Sequence, residues 1–428
     1  MTAVPSAPGQ DHSSATVDTT LRRQSRLALT KVRLLLGAAA LLVTISLVRV
    51  VTGADDITSG GTVSAALALA VPIGMAGMGA LWSERAGVVN IGLEGMLILG
   101  TWGAGWAGYQ YGPWTGVLAA VAFGALGGLL HAVATVSFGV DHVVSGVAII
   151  LLGTGAAQYL SSVAFEGVPG GGDTQSPPVP DLPSFSVPGV GGPLSDLQDT
   201  GWFLLADVAG ILRGLVTDVS ALTLVAVVLV VLTWWVLWRT AFGLRLRACG
   251  ERPEAAESLG VNVYTMKYTA VVVSGAFAGL GGAFLAIVAS SAYREGQTGG
   301  RGFIGIAAMI FGNWRPGGTA AGAALFGYAD ALQLRRGGES VHALLLLIGL
   351  VVLALGVWLI VRGSRRAGIV GLLSAVAVLM WFALTDVVPG ELTGLTPYVA
   401  TLLVLGVAAQ RLRPPAADGI PYRRGEGS

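Results

Sequence analysis

Cysteine occurs once, at Cys249, which excludes an internal disulfide and leaves that residue as an unreactive thiol. Lysine occurs only at Lys31 and Lys267, and no G-x-x-x-x-G-K-[ST] stretch exists, so the chain builds no phosphate cradle for ATP. No H-E-x-x-H is present, nor a G-x-S-x-G in a usable setting, which argues against an intramembrane protease. The histidines His12, His131, His142 and His342 lack metal-ligand spacing, and no metal or cofactor is expected. Charge is scarce, at 11% of residues, and the arginines sit in small groups at the ends of apolar runs instead of forming one basic face. Nucleic-acid binding is therefore not expected.

What the chain has instead is apolar surface and glycine. Hydrophobic residues make up 54% of the sequence, mean hydropathy is +0.73, and 64 of 428 residues are glycine. A soluble globule cannot keep that much apolar surface out of water, so the expected class is an all-α, polytopic transmembrane helical bundle. A membrane span needs about 20 mostly apolar residues. Stretches of that kind run over 34–52, 62–82, 90–108, 114–138, 143–164, 219–238, 269–290, 341–361, 367–385 and 395–410. Two weaker ones, 303–312 and 319–334, flank "NWRPGG", which gives about 10 to 12 hydrophobic segments in all.

Orientation follows from the basic residues near span ends. Arg22, Arg23, Arg26, Lys31 and Arg33 place a polar, disordered tail, 1–32, in the cytosol. Alternation then puts 165–218 outside and 239–268, with Arg239, Arg245, Arg247, Arg252 and Lys267, inside. Past residue 300 the rule is met when 303–334 forms two short crossings or a re-entrant hairpin with Arg315 inside. The 413–428 tail is then cytosolic, like the N-terminus, around a permease domain at 33–412. Segment 165–218 is rich in Pro and Gly. It reads either as a flexible extracytoplasmic loop or as a docking surface in which 202–216 is an interfacial amphipathic helix in contact with lipid.

Within the spans, Gly275 and Gly279 lie one helical turn apart and let helix backbones approach closely where lipid gives no drive to associate. Asn90 and Glu94 are four residues apart in "ERAGVVNIGLEGMLILG", so on a helix they share one face, and Gly87, Gly92 and Gly95 nearby point to a segment that enters the membrane through broken or closely packed backbone. Glu94 either satisfies neighbouring helix ends or lies with Asn90 on a translocation path, hydrogen-bonding a polar solute. Between two spans, Pro253 opens and Gly260 closes a short charged helix.

Four stretches carry a family resemblance. Glu254, Ala255, Ala256 and Gly260 match the EAA-x-x-x-G pattern of the coupling loop in permeases of ABC importers. "ERAGVVNIGLEGMLILG", "GGRGFIGIAAMIFGNWRPGG" and "LTPYVATLLVLGVAAQRLRPPAADGIPYRRG" resemble the branched-chain amino acid, ribose and nucleoside permease family, in wording like permeases of bacterial nucleoside importers. The resemblance covers roughly 60–340 and 388–425; between 341 and 387 an extra hydrophobic pair departs from the pattern. It implies a multi-pass permease of the bacterial plasma membrane that carries nucleosides, or related simple sugars, and is not itself an enzyme. It further implies a separate ABC ATPase, a second related permease and an extracytoplasmic binding lipoprotein as partners. The rival is an ion-coupled secondary transporter using Glu94 and Asp330 as proton carriers.

Overall fold

The computed structural model describes residues 36–335, 337–389, 392 and 412–424. The tail 1–32 with its basic residues, the span 395–410 and the last residues 425–428 lie outside them. The described chain is almost wholly helical. It begins with α1 (Leu36–Thr52), α2 (Gly60–Arg85), α3 (Leu93–Tyr111), α4 (Pro113–Ala132) and α5 (His142–Ala164). Two helices, α6 (Gly191–Asp199) and α7 (Leu205–Val216), stand in the segment before α8 (Ala221–Arg239). After α8 come the short α9 (Ala241–Glu251) and α10 (Pro253–Ser258), then α11 (Val263–Ala283). The series closes with α12 (Arg301–Phe311), α13 (Pro316–Leu334), α14 (Gly337–Val361) and α15 (Arg365–Leu384). Seven of these are long and apolar enough to cross a membrane: α2, α4 and α11 with the π turns that extend them, α5, α8, α14 and α15.

Side-chain caps mark where several helices start. Ser59, Asp141, Ser220, Thr240 and Asn262 each accept a backbone N–H from the first turn that follows. Depth in the bundle differs sharply between elements. In α11, 78% of the most apolar stretch is buried, against 11% in α14 and in α15, so α11 is central and the α14–α15 hairpin forms the rim. That hairpin spans the hydrophobic pair read at 341–387. It meets the bundle through α1 and α13, with Val48, Tyr328, Ala343, Leu346, Leu347 and Leu350 in one apolar cluster.

The centre is built on backbone contact. A Cβ on Gly275 would collide with the carbonyl oxygen of Gly124 on α4, and one on Gly279 with that of Ala120. Both glycines therefore pack inside this chain, between α4 and α11.

The 165–218 segment is ordered where the sequence pattern reads as loop. A two-residue antiparallel pair, β1 (Ser184–Phe185) with β2 (Val219–Ser220), ties its middle to the start of α8 in the register Ser184 to Ser220. Helix α7 buries Ala206, Asp207, Ala209, Gly210 and Gly214 and exposes Leu205, Val208, Leu212 and Leu215. Asp207 is fully buried because Arg49 of α1 pairs with it at 2.8 Å and Thr58 donates to it at 2.6 Å.

One end of the bundle gathers α9, α10, the α12–α13 turn and residues 412–424. Arg85 reaches the Trp314 carbonyl at 2.6 Å, and Ala417 N–H donates to Gly250 at 2.9 Å. Arg239, Arg245, Arg247, Arg252, Arg315 and Arg413 all lie there, which the positive-inside rule assigns to the cytosol. Cys249, the single native thiol, is buried and gives little labelling background. Cysteines at positions 315 and 364 should therefore react only from the cytosolic side and one at 186 only from outside. Labelling of 315 from outside intact cells would reject this orientation.

Candidate translocation site and coupling region

Helix α2 stops at Arg85 and α3 starts only at Leu93, so 86–92 crosses the protein interior without helical hydrogen bonding. Buried backbone must find other partners. Gly87 and Val88 N–H groups turn back to the carbonyls of Glu84 and Ser83 at 2.8 and 3.1 Å. Lys267 of α11 donates to the Gly87 carbonyl at 3.3 Å. His131 of α4 donates through Nε2 to the Val89 carbonyl at 3.1 Å, and its Nδ1 accepts from the Ser145 hydroxyl at 2.8 Å. His142 of α5 accepts the Val89 N–H at 3.2 Å. Four helices thus hold one unwound strand of chain.

This arrangement corrects the shared helical face of Asn90 and Glu94. Asn90 precedes α3, so the helical spacing does not apply to it. It is 1% exposed and its amide donates to Ser274 of α11 at 2.9 Å, away from the carboxylate. Glu94, in the first turn of α3, is 6% exposed and accepts two backbone N–H groups, from Gly300 at 3.0 Å and Gly302 at 2.7 Å. Those N–H groups begin α12, whose first turn has no helical carbonyl to donate to. A carboxylate there meets both the free donors and the positive end of the helix. Gly302 permits the approach, since a Cβ would lie 2.7 Å from the Glu94 Cα.

Glu94 also lines a cavity of about 300 Å³. Its other walls are Ile98 and Thr101 of α3, Thr154 and Gln158 of α5, and the 293–300 loop. Gln158 donates to Glu295 across it at 2.6 Å, and both amide atoms of Gln297 are buried without a hydrogen-bond partner. Asp330, on α13, does not line this cavity.

At the opposite end from α7, the EAA-type residues form α10. Arg252 is extended, with φ at −151°, and separates α10 from α9; Pro253 occupies the first turn. Gly260, with φ at +80°, closes the helix as Val261 N–H returns to Ala256 at 3.0 Å. Ala256 is buried against Cys249 and Val263, whereas Glu254 and Ala255 are exposed and Leu259 is 84% exposed. Burial pushes the Cys249 thiol up to about 11, which keeps it protonated and inert.

Residues 62–356 match the family described as "branched-chain amino acid transport system / permease component". The chain is similar to the guanosine ABC transporter permease protein NupQ of Bacillus subtilis, with 32% identity over 85% of this chain and 97% of that protein. It is 30% identical to the nucleoside ABC transporter permease protein NupC of Lactococcus lactis, over 83% of this chain and 94% of the relative. A second Bacillus subtilis protein, the guanosine ABC transporter permease protein NupP, is 26% identical over 71% of this chain and 84% of its own length. No solved structure matches the chain.

Proposed function

Since the chain belongs to the branched-chain amino acid transport system permease family and is a multi-pass plasma-membrane permease subunit of an ABC importer, we propose that it carries nucleosides inward. The observation that carries this reading is the similarity to guanosine and nucleoside permeases along nearly their full length. The cavity beside Glu94 supports it chemically. Hydroxyls at Thr101 and Thr154 and amides at Gln158 and Gln297 suit a neutral solute rich in hydroxyls and ring nitrogens. In this reading Glu94 borders the path, and Asn90 holds the unwound segment that delivers Glu94 to it.

ATP is hydrolysed by a separate subunit that docks on the exposed face of α10, at Glu254, Ala255 and Leu259. An extracytoplasmic lipoprotein delivers the solute to the α7 end. One chain offers one such helix, and an importer needs two. A second, related permease supplies the other, as the likeness to two differently named guanosine permeases of one bacterium suggests.

The test is uptake of labelled guanosine, ribose and leucine by cells carrying or lacking this chain. A deficit in guanosine uptake is expected, and one confined to leucine would reject the reading. Removing the second permease should abolish uptake, whereas full transport without it would mean a homodimer. In cells carrying both permeases, Glu254→Arg should loosen the ATPase on co-purification and lower uptake by about tenfold, because a reversed charge disturbs the electrostatic match of the interface. Intact assembly and normal uptake in that variant would remove α10 from the coupling role.

A further inference from the structure

Residues 412–424 return across the α9–α10 end of the bundle and touch each element there in turn. Arg413 N–H donates to Asn313 Oδ1, in the α12–α13 turn, at 2.8 Å. Ala416 N–H donates to Glu251 Oε2 at 3.3 Å and Ala417 N–H to the Gly250 carbonyl at 2.9 Å, both on α9. Asp418 lies against the carboxyl of Glu84 on α2, which itself accepts from Trp314 Nε1 at 2.6 Å. Burial raises Asp418 to about 6 and its hydrogen bond with Glu84 pulls it back down, so Asp418 is the accepting partner and the two carboxyls lie side by side by sharing one proton. At its far end the segment grips α10. Tyr422 donates its hydroxyl to Glu257 Oε2, its ring sits 5.6 Å from that of Tyr264, and Arg424 pairs with Glu257 Oε1 at 2.8 Å.

Two of these contacts lead into the candidate path. The Ala417 carbonyl sits over Gly87, so close that a Cβ there would lie 3.0 Å from it, and Gly87 opens the unwound segment that ends at Glu94. Asn313 follows the C-terminal end of α12, whose N-terminal N–H groups rest on Glu94. Helix α12 is thus fastened at one end to the 412–424 segment and at the other to the carboxylate beside the cavity. We propose that residues 412–424 are a transmission strap, which carries displacement of α10 to the 86–92 segment and to α12.

A lone exposed ion pair such as Arg424 with Glu257 contributes little, since Arg424 is 80% exposed. The grip comes from one half-buried carboxylate held by two groups, backed by main-chain bonds to α9 that fix the strap's register. Elements that transmit force must have two arrangements and a physical link between them. Here the link runs along one stretch of chain, from Tyr422 and Arg424 on Glu257 to Ala417 packed over Gly87.

The inference rests on the reading of α10 as the ATPase contact, and the experiment separates the two. The complete importer, reconstituted in lipid vesicles, is compared with a Tyr422→Ala, Arg424→Ala double variant for bound ATPase, ATP hydrolysis and guanosine uptake. Expected are a full complement of ATPase, hydrolysis within about twofold and uptake lowered by about tenfold, so that ATP is spent without transport. If the double variant does not accumulate, Tyr422→Phe with Arg424→Gln keeps the side-chain volume and is judged by the same ratio of uptake to hydrolysis. An unchanged ratio would overturn the proposal, as would joint loss of ATPase and uptake, which would make the strap part of the docking site only. Normal assembly and uptake in Glu254→Arg would instead sink the underlying reading and leave the strap's own result standing.

Discussion

Replacing Gly275 and Gly279 by valine should leave almost no folded permease in the membrane. Helices α4 and α11 meet backbone to backbone there, and the atoms a new Cβ would strike are the carbonyl oxygens of Gly124 and Ala120, which cannot rotate aside. The two helices must move apart instead. In water such a separation would be opposed by the hydrophobic effect, but lipid solvates an exposed helix face as well as a neighbouring helix does, so packing alone holds the pair. Overpacking a well-filled core costs about 1 to 3 kcal/mol per site, and two sites one turn apart on a central helix approach the whole margin of a marginally stable fold. We expect the amount of monodisperse protein extracted from membranes to fall by about tenfold or more. Gly37→Val is the control, because nothing lies within 4 Å of a Cβ at that position. Equal yield and equal thermal stability of the Gly275→Val, Gly279→Val protein and the control would show that the close approach is not needed.

The same pair of glycines shows what sequence can carry. Spacing of four residues on one helix is local, and it reports a small face whether or not the partner is known. Local signals also marked the short α10, since Pro253 and Gly260 act on their own backbone. The unwound segment was different. Gly87, Gly92 and Gly95 pointed to broken or closely packed backbone, but not to where the helix stops, so periodicity still placed Asn90 and Glu94 on one face. What breaks the helix is a set of partners far away in sequence: His131, His142 and Lys267, none of which carries a motif. Histidines without metal-ligand spacing gave no reason to look for a backbone cradle. Helix α6 was missed because a Gly, Pro and Asp-rich stretch has weak helical propensity and is fixed by its neighbour α7. The strap was missed for the same reason as the cradle. Residues 413–424 read as a polar tail, and only folding brings Tyr422 to Glu257, 165 positions earlier.

Glu94→Leu should abolish transport in an importer that still assembles. The carboxylate holds the N–H groups of Gly300 and Gly302, and α12 is 11 residues long, about 16 Å, so its first turn lies inside the protein instead of at a membrane surface. Leucine has no acceptor. Two buried donors are then left unsatisfied, at about 1 to 3 kcal/mol each, and the negative charge that complements the helix end is gone. That is enough to shift α12 and the 293–300 loop, which together form one wall of the cavity. Uptake should fall by about 100-fold, while the yield of assembled complex falls far less, because Glu94 borders a cavity and not the α4–α11 contact. Glu94→Gln keeps one carbonyl oxygen and turns an N–H₂ toward the second donor, so an intermediate loss of about tenfold is expected. The pair of variants also separates ATP-driven import from proton coupling. In vesicles with ATP the Gln variant should retain measurable guanosine uptake, and a pH gradient without ATP should drive none in either variant or in the unaltered protein. Gradient-driven uptake that disappears in Glu94→Gln would restore the carboxylate as a proton carrier, and unimpaired uptake by Glu94→Leu would remove it from the path altogether.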